Sequence, residues 1–251
     1  MAFNLSSPAL AEAVVRADQH WQARHQEADA GSQKAAAPAF TIALSRQAGT
    51  YGAAIARAVA DRLGWPVYDS ELMQQIANDL GVRQGLVSNM DERHVSWLTE
   101  YLEGLSPHQG VSEYAFIRRL LETLLSLAAR GNCVIVGRGA TKVLPAATTL
   151  RVRIVAPQEH RIQAVQREHG ISREEAVRRV ETTDRERNDF VHEHFGMDAA
   201  DPRNYDLVLN AGRFPIDQCV ELILAALDRL RAASDTASAS QPAKTPSAAS
   251  S

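Results

Sequence analysis

Five short runs of apolar and β-branched residues, each followed by a stretch of helical character, constrain this chain more than any other feature. The runs are Phe40–Leu44, Val67–Tyr68, Cys133–Val136, Leu150–Val155 and Tyr205–Leu209. The stretches that follow them are Gly52–Leu63, Ser70–Leu80, a short piece after Arg138, Glu159–His169 and Ile216–Leu230. Strands that are apolar at nearly every position are buried on both faces, and parallel neighbours need helical crossovers between them. The pattern predicts an α/β fold with a parallel five-stranded sheet flanked by helices. The strand carboxyl ends, and any ligand, then lie along one edge.

Two helical segments interrupt the alternation. Val82–Arg130 reads as one insertion with a break around Ser106-Pro107-His108-Gln109-Gly110. The other opens at Ser172-Arg173-Glu174-Glu175, a capping box, and runs to about Phe195. Residues 1–38 read as a helical extension and linker: Ser7-Pro8 can start a helix, and Leu10, Val14 and Trp21 follow at roughly helical spacing. Residues 39–232 form the α/β domain, with 82–130 as its insertion and 172–196 as a lid. Residues 233–251 are almost entirely Ala, Ser, Thr, Pro and Gln, too poor in apolar surface to offset ordering entropy, and are expected to be disordered.

A length of 251 residues with 45% hydrophobic content supports one domain with a substantial core and appendages. The formal net charge of −3 argues against a general nucleic-acid binder, so any anion chemistry must come from locally clustered arginines. Cys133 and Cys219 stand far apart in apolar runs without metal-ligand spacing, which predicts buried free thiols and a reducing, cytoplasmic setting. No basic region followed by an apolar one opens the chain, and no apolar run approaches membrane-spanning length. His192 and His194 are two apart, a spacing that separates them on a helix, so no metal site is expected there.

The first run leads into Ser45-Arg46-Gln47-Ala48-Gly49-Thr50-Tyr51-Gly52, with a helix directly after it. A strand, a glycine-containing turn and a helix N-terminus make an anion site, because backbone N–H groups and the positive helix end face the same point. An ATP-binding loop normally reads G-x-x-x-x-G-K-[ST]. Here Arg46 stands in the first glycine position, Gly52 in the lysine position, and Ala53 and Ala54 where a hydroxyl is expected. On these residues alone a plain glycine turn explains the segment equally well.

Four further segments change that balance. They are Val67-Tyr68-Asp69-Ser70-Glu71-Leu72; Gly137-Arg138-Gly139; Val155-Ala156-Pro157 leading to Arg161; and Asp184-Arg185-Glu186-Arg187 continuing to His194-Phe195-Gly196. The last run and its turn, Tyr205-Asp206-Leu207-Val208-Leu209-Asn210-Ala211-Gly212, complete the set. In this order, over about residues 40–230, they resemble the cytidylate kinase-like family, whose phosphate loop also lacks the lysine. The resemblance implies a P-loop NTPase-type fold with a helical acceptor-side insertion and a helical lid, small-molecule nucleotides as partners, and no nucleic acid or membrane.

The same resemblance implies ATP-dependent phosphoryl transfer to a nucleoside monophosphate, CMP or dCMP first. Ser45, Gly49, Thr50, Tyr51 and Gly52 would hold the donor phosphates. Arg46 would replace the lysine, and Asp69, Arg138 and Arg161 would bind the acceptor. Arg185 and Arg187 would close over the reaction, with Asp184 orienting a neighbouring arginine. Mg2+ would ride on the nucleotide, since Ala53, Val136 and Gly139 stand where protein contacts to the metal are usual. Local readings stay open beside these: Asp69 as a helix N-cap, Arg161 as a solvated arginine, one of Arg185 and Arg187 solvated, and Arg153 in a structural ion pair. Two other functions stay open too, a nucleotide-binding regulator with weak or no catalysis and a kinase for another small acceptor. Monomer and homodimer are equally compatible with the sequence.

Overall fold

The computed structural model describes residues 39–69 and 111–239. These contain β1 (Thr41–Arg46), α1 (Gly52–Leu63), β2 (Val67–Tyr68), α2 (Val111–Arg130), β3 (Cys133–Val136), α3 (Ala140–Val143), β4 (Thr149–Val155), α4 (Gln158–His169), α5 (Arg173–Phe195), a 3-10 turn (Pro202–Asn204), β5 (Leu207–Asn210) and α6 (Ile216–Ala239). All four strand pairings are parallel, and the order β2-β3-β1-β4-β5 puts β1 at the centre of the five-stranded sheet. The expected α/β architecture is therefore present.

Each face of the sheet is buried because alternate side chains of each strand project to opposite sides. Ile42 and Leu44 of β1 pack with Leu150, Val152 and Ile154 of β4 beneath α1 and α6. On the other face Ala43 and Ile135 pack against α2, α3 and the last turn of α5. Ile117, Leu120, Leu121 and Leu124 of α2 recur at i, i+3, i+4 and i+7, and each is fully buried. Leu124→Ala is expected to cost roughly 2–5 kcal/mol of stability, the range for emptying a close-packed leucine site. Urea denaturation reads this directly, and a cost near zero would remove α2 from the core.

That packing redraws one boundary. The sequence grouped 82–130 as a single insertion, but residues 111–130 are the crossover helix between β2 and β3 and belong to the core layer. A second boundary also moves: α6 runs on to Ala239, into the segment expected to be without structure. Alanine has the highest helix propensity, so the Ala-rich stretch Ala232–Ala239 continues the helix instead of stopping it. The extension 1–38, the helix expected at Ser70–Leu80, the segment 82–110 and residues 240–251 lie outside the described residues.

Cys133 and Cys219 are buried free thiols, and burial pushes the Cys133 thiol up to about 12. Among the described residues no helix is long and apolar enough to cross a membrane.

Candidate functional site

The chain leaves β1 at the centre of the sheet and turns over the carboxyl edge before entering α1. Gln47 fixes this turn. Its N–H donates to the carbonyl of Ile154 (3.1 Å), its Oε1 accepts the N–H of Ala156 (3.1 Å), and its own carbonyl accepts the Thr50 hydroxyl (2.8 Å). Tyr51 then takes a left-handed conformation at φ 54, and Gly52 opens the helix. The ring of Tyr51 meets that of His160 edge-on, 6.3 Å between centroids. The N–H groups of Gly49, Thr50, Tyr51 and Gly52 have no acceptor among the described residues. Unpaired amides at a helix N-terminus suit the oxygens of a bound phosphate chain.

Arg46 lies across this loop. A Cβ added to Gly52 would stand 2.6 Å from the Cβ of Arg46, and one added to Gly137 would stand 2.8 Å from its Nη1. The side chain therefore runs from the start of α1, where a lysine would normally originate, to the turn after β3. A Cβ at position 52 would collide with the stem of Arg46, while the glycine at 137, at φ +83, leaves room for its tip. Burial, followed by repulsion from Arg187, pushes the Arg46 guanidinium down to about 10; Asp69, at the end of β2, acts in the opposite direction and Arg138 adds repulsion.

Beside Arg46 a cavity of about 280 Å³ opens between the sheet edge and α5. Ser45 and Gly137 line its floor, Arg138 and Arg153 its sides, and Arg187, Phe190 and Val191 of α5 its roof. Among the described residues, four arginines line it (Arg46, Arg138, Arg153, Arg187) against a single acid, Glu186. Such a space favours an anion with more than one charge. The Arg138 guanidinium stacks 4.9 Å from the centroid of Phe190, and its basicity is lowered by burial. Arg187 is also lowered, chiefly by burial, with Asp184 opposing and Arg153 adding repulsion. Its Nη1 donates to the carbonyl of Arg46 at 3.3 Å.

Helix α5 begins with the expected capping box: Ser172 Oγ accepts the Glu175 N–H (3.2 Å), and Glu175 Oε2 accepts the Ser172 N–H (3.1 Å). It packs on α4 through Ile162, Val165, Ala176 and Val180. Asp184 reaches from it into the phosphate loop. Its Oδ1 accepts the Ala48 N–H at 2.7 Å, and its Oδ2 accepts a short hydrogen bond from Arg161 Nη1. Arg161 also donates to the Ala48 carbonyl at 3.4 Å, and its own carbonyl abuts Gly49, whose φ of +73 and lack of Cβ permit the approach.

The expected site residues thus divide into three groups, with Arg185 apart from all of them. Ser45, Arg46, Arg138 and Arg187 converge on the cavity, with Asp69 close enough to act on Arg46. Gly49, Thr50, Tyr51 and Gly52 form the adjoining loop. Arg161 and Asp184 brace that loop from outside, and neither lines the cavity; the Arg161 side chain is buried in an ion pair rather than solvated. Arg185 sits on the exposed side of α5, away from the cavity. His192 is exposed and His194 buried, as their spacing requires.

Sequence reasoning gave no role to Gln47 or Phe190, and for Arg153 it offered a structural ion pair, which the structure does not show among the described residues. For Arg153 a signal existed. In β4 the residues Leu150, Val152 and Ile154 face one core, so Arg151 and Arg153 point to the other side. Arg151 meets Asp206 in a bidentate pair that raises its basicity, whereas Arg153 has no acid partner among the described residues. It donates instead to Ser45 Oγ at 2.6 Å and stacks 5.6 Å from the Tyr205 ring centroid.

Comparison with known proteins agrees with this architecture. A cytidylate kinase from Thermococcus sibiricus is 26% identical over 204 residues, covering 81% of this chain and 95% of its own. One from Methanopyrus kandleri is 32% identical over 112 residues, 41% of this chain. The chain spans 58% of that second protein's length, and 30% of a Corynebacterium glutamicum uronate isomerase that is 23% identical over 159 residues, 61% of this chain. Among solved structures, an uncharacterized protein from Eubacterium ventriosum superposes with a TM-score of 0.61 at 20% identity, covering 76% of this chain and 98% of its own; this likeness is one of fold. The profile described as "Cytidylate kinase-like family" matches residues 41–213, from β1 through the turn after β5. With that match spanning the sheet, the turn between β1 and α1, and α5 together, the chain belongs to the cytidylate kinase-like family.

Proposed function

We propose that this protein transfers the γ-phosphoryl group of ATP to a nucleoside monophosphate, with CMP or dCMP as the first acceptor to consider. The observation that carries the reading is the arginine-lined cavity directly beside a loop of unpaired amides. In phosphoryl transfer to an acceptor already ionised at neutral pH, catalysis is almost wholly positioning and charge stabilisation. The loop amides would bind the donor phosphates, and Arg46, crossing from Gly52 to Gly137, would supply the charge that a lysine gives elsewhere. Arg138 would orient the acceptor, and Arg187, hydrogen-bonded to the Arg46 carbonyl, would face the transferring group from the lid. Mg2+ carried on the nucleotide phosphates would supply further neutralisation of charge. The buried free thiols suit a reducing, cytoplasmic setting.

The test is to incubate the full chain with Mg-ATP and each of CMP, dCMP, UMP, AMP and GMP, then quantify diphosphates by chromatography. Arg187→Ala serves as the control for contaminating kinases and is expected to lose roughly 10²–10³-fold in rate. Formation of CDP that disappears in this variant supports the proposal; saturable nucleotide binding with no diphosphate from any acceptor sinks it. One observation favours a second reading, a nucleotide-binding regulator: Asp184 already holds the Ala48 amide, and neither a lysine nor the usual hydroxyl follows the loop. That protein would give the second outcome.

A further inference from the structure

Arg153 is the cation of this site whose surroundings explain it least. It is only 8% exposed, it lies in the middle layer of the sheet, and its hydrogen bond goes to a neutral hydroxyl. A guanidinium withdrawn from water without a carboxylate is costly, since the attraction that would offset desolvation is missing. Its neighbour on the same sheet, Arg151, shows the usual solution, a bidentate acid. Arg153 faces the cavity beside three other arginines, and its charge adds to the repulsion felt by Arg187.

The strand register shows how the space around it arises. Ser45 and Arg153 are direct partners in the β1–β4 pair, and Gly137 follows β3 immediately beyond the Leu44–Val136 pair. Across three adjacent strands the same level of the sheet thus carries a glycine, a serine and an arginine. The two small residues leave room above the sheet, and Ser45 holds the arginine at the side of that room. The Tyr205 ring covers the guanidinium face, leaving its remaining N–H groups for a partner in the plane. A planar fork of N–H donors suits a phosphate or carboxylate, and the cavity's excess of arginines selects the more highly charged of the two.

Resting on the phosphoryl-transfer reading above, we propose that Arg153, positioned by Ser45, binds the phosphate that the acceptor already carries. Arg153 is then a specificity-determining residue, and the acceptor class is a phosphomonoester; a neutral hydroxylated acceptor leaves this charge uncompensated. Discrimination between an acceptor and its dephosphorylated form comes from the side of the cavity, independently of the loop that holds the donor.

The experiment is a calorimetric titration of the full chain, in phosphate-free buffer, with CMP, cytidine and ATP, on the wild type and on Arg153→Gln. The wild type is expected to bind CMP at least roughly 100-fold more tightly than cytidine. Arg153→Gln is expected to weaken CMP by roughly 10–100-fold, the worth of a charged hydrogen-bonding partner, and to leave cytidine and ATP unchanged. Arg153→Lys, which keeps the charge but not the fork, should fall between. Unchanged CMP binding in Arg153→Gln overturns the inference, and so does an equal loss for CMP and cytidine, which marks a structural role. Should Arg153→Gln fail to fold, Arg153→Lys and Ser45→Ala carry the same comparison. If the wild type binds no CMP, inorganic phosphate replaces it as probe, and an Arg153→Gln variant that binds phosphate as the wild type does overturns the inference. The kinase reading fails separately: a CMP-to-cytidine ratio that depends on Arg153, without any diphosphate formed from ATP, overturns transfer and leaves the subsite standing.

Discussion

Arg46→Met is expected to lower phosphoryl transfer by roughly 10²–10³-fold and, at the same time, to raise the melting temperature. The activity loss follows from position. Arg46 is the cation that runs from the start of α1 to the turn after β3, and no lysine follows the loop to replace it. The gain in stability follows from the same burial. The guanidinium is held at about 10, first by burial and then by repulsion from Arg187. A base whose folded pKa is depressed is one that the unfolded chain protonates more readily. The charged form therefore opposes folding at full size at neutral pH, and that opposition fades only as pH rises through about 10 toward the ordinary arginine range. Methionine fills much of the same volume without a charge. Steady-state rates and thermal melts of the two proteins, run side by side, check both halves. A fall in melting temperature would mean that Arg46 is held by compensating contacts that stabilise the fold.

Gly52→Lys, which restores the usual lysine by sequence alignment, is expected to abolish activity instead of improving it. A Cβ at position 52 would stand 2.6 Å from the Cβ and 2.8 Å from the Cγ of Arg46, contacts that real Cβ atoms do not tolerate. Either Arg46 is expelled from its path or the first turn of α1 shifts, and in both cases the loop amides lose their geometry. The new ammonium would also join a space that already holds four arginines and one lining acid. Transfer should fall at least as far as in Arg46→Met, and a thermal shift on adding ATP should shrink or vanish. Retention of wild-type rates would show that Arg46 has room to move aside, and with it that the arginine is not the substitute for lysine. Double substitution to Arg46→Gly with Gly52→Lys removes the clash and separates steric from electrostatic loss.

The parallel five-stranded sheet, the turn between β1 and α1 and the start of α5 were legible because each rests on local pattern: apolar runs, glycines between strand and helix, and a capping box at Ser172. What the sequence could not show depends on direction across distance. Arg185 and Arg187 read alike, yet only Arg187 turns inward, because Val180, Val191 and Phe195 fix which face of α5 meets the protein. Arg161 reads either as an acceptor ligand or as a solvated helical arginine until α5 brings Asp184 beside it. Arg153 could be recognised as a charge inside a buried strand, but whether an acid met it was a tertiary fact. The misjudged edge of the 82–130 segment has a similar origin. The leucine stripe of α2 was readable, but not that β2 and β3 are neighbours that this helix must bridge.

The hydrogen bond from Ala48 to Asp184 has one further consequence. A carboxylate attached to α5 reaches the loop amide without diffusing, so it competes at an effective concentration that free anions in solution must exceed. A small monovalent ion offers the amide no more than Asp184 already does, and offers nothing to the neighbouring N–H groups of Gly49 to Gly52. A chain of linked phosphates can exchange for the carboxylate and occupy those groups in the same event. On the phosphoryl-transfer proposal this internal competitor would screen the loop against the commonest anions around it, and its release would leave Arg161 without its acid partner.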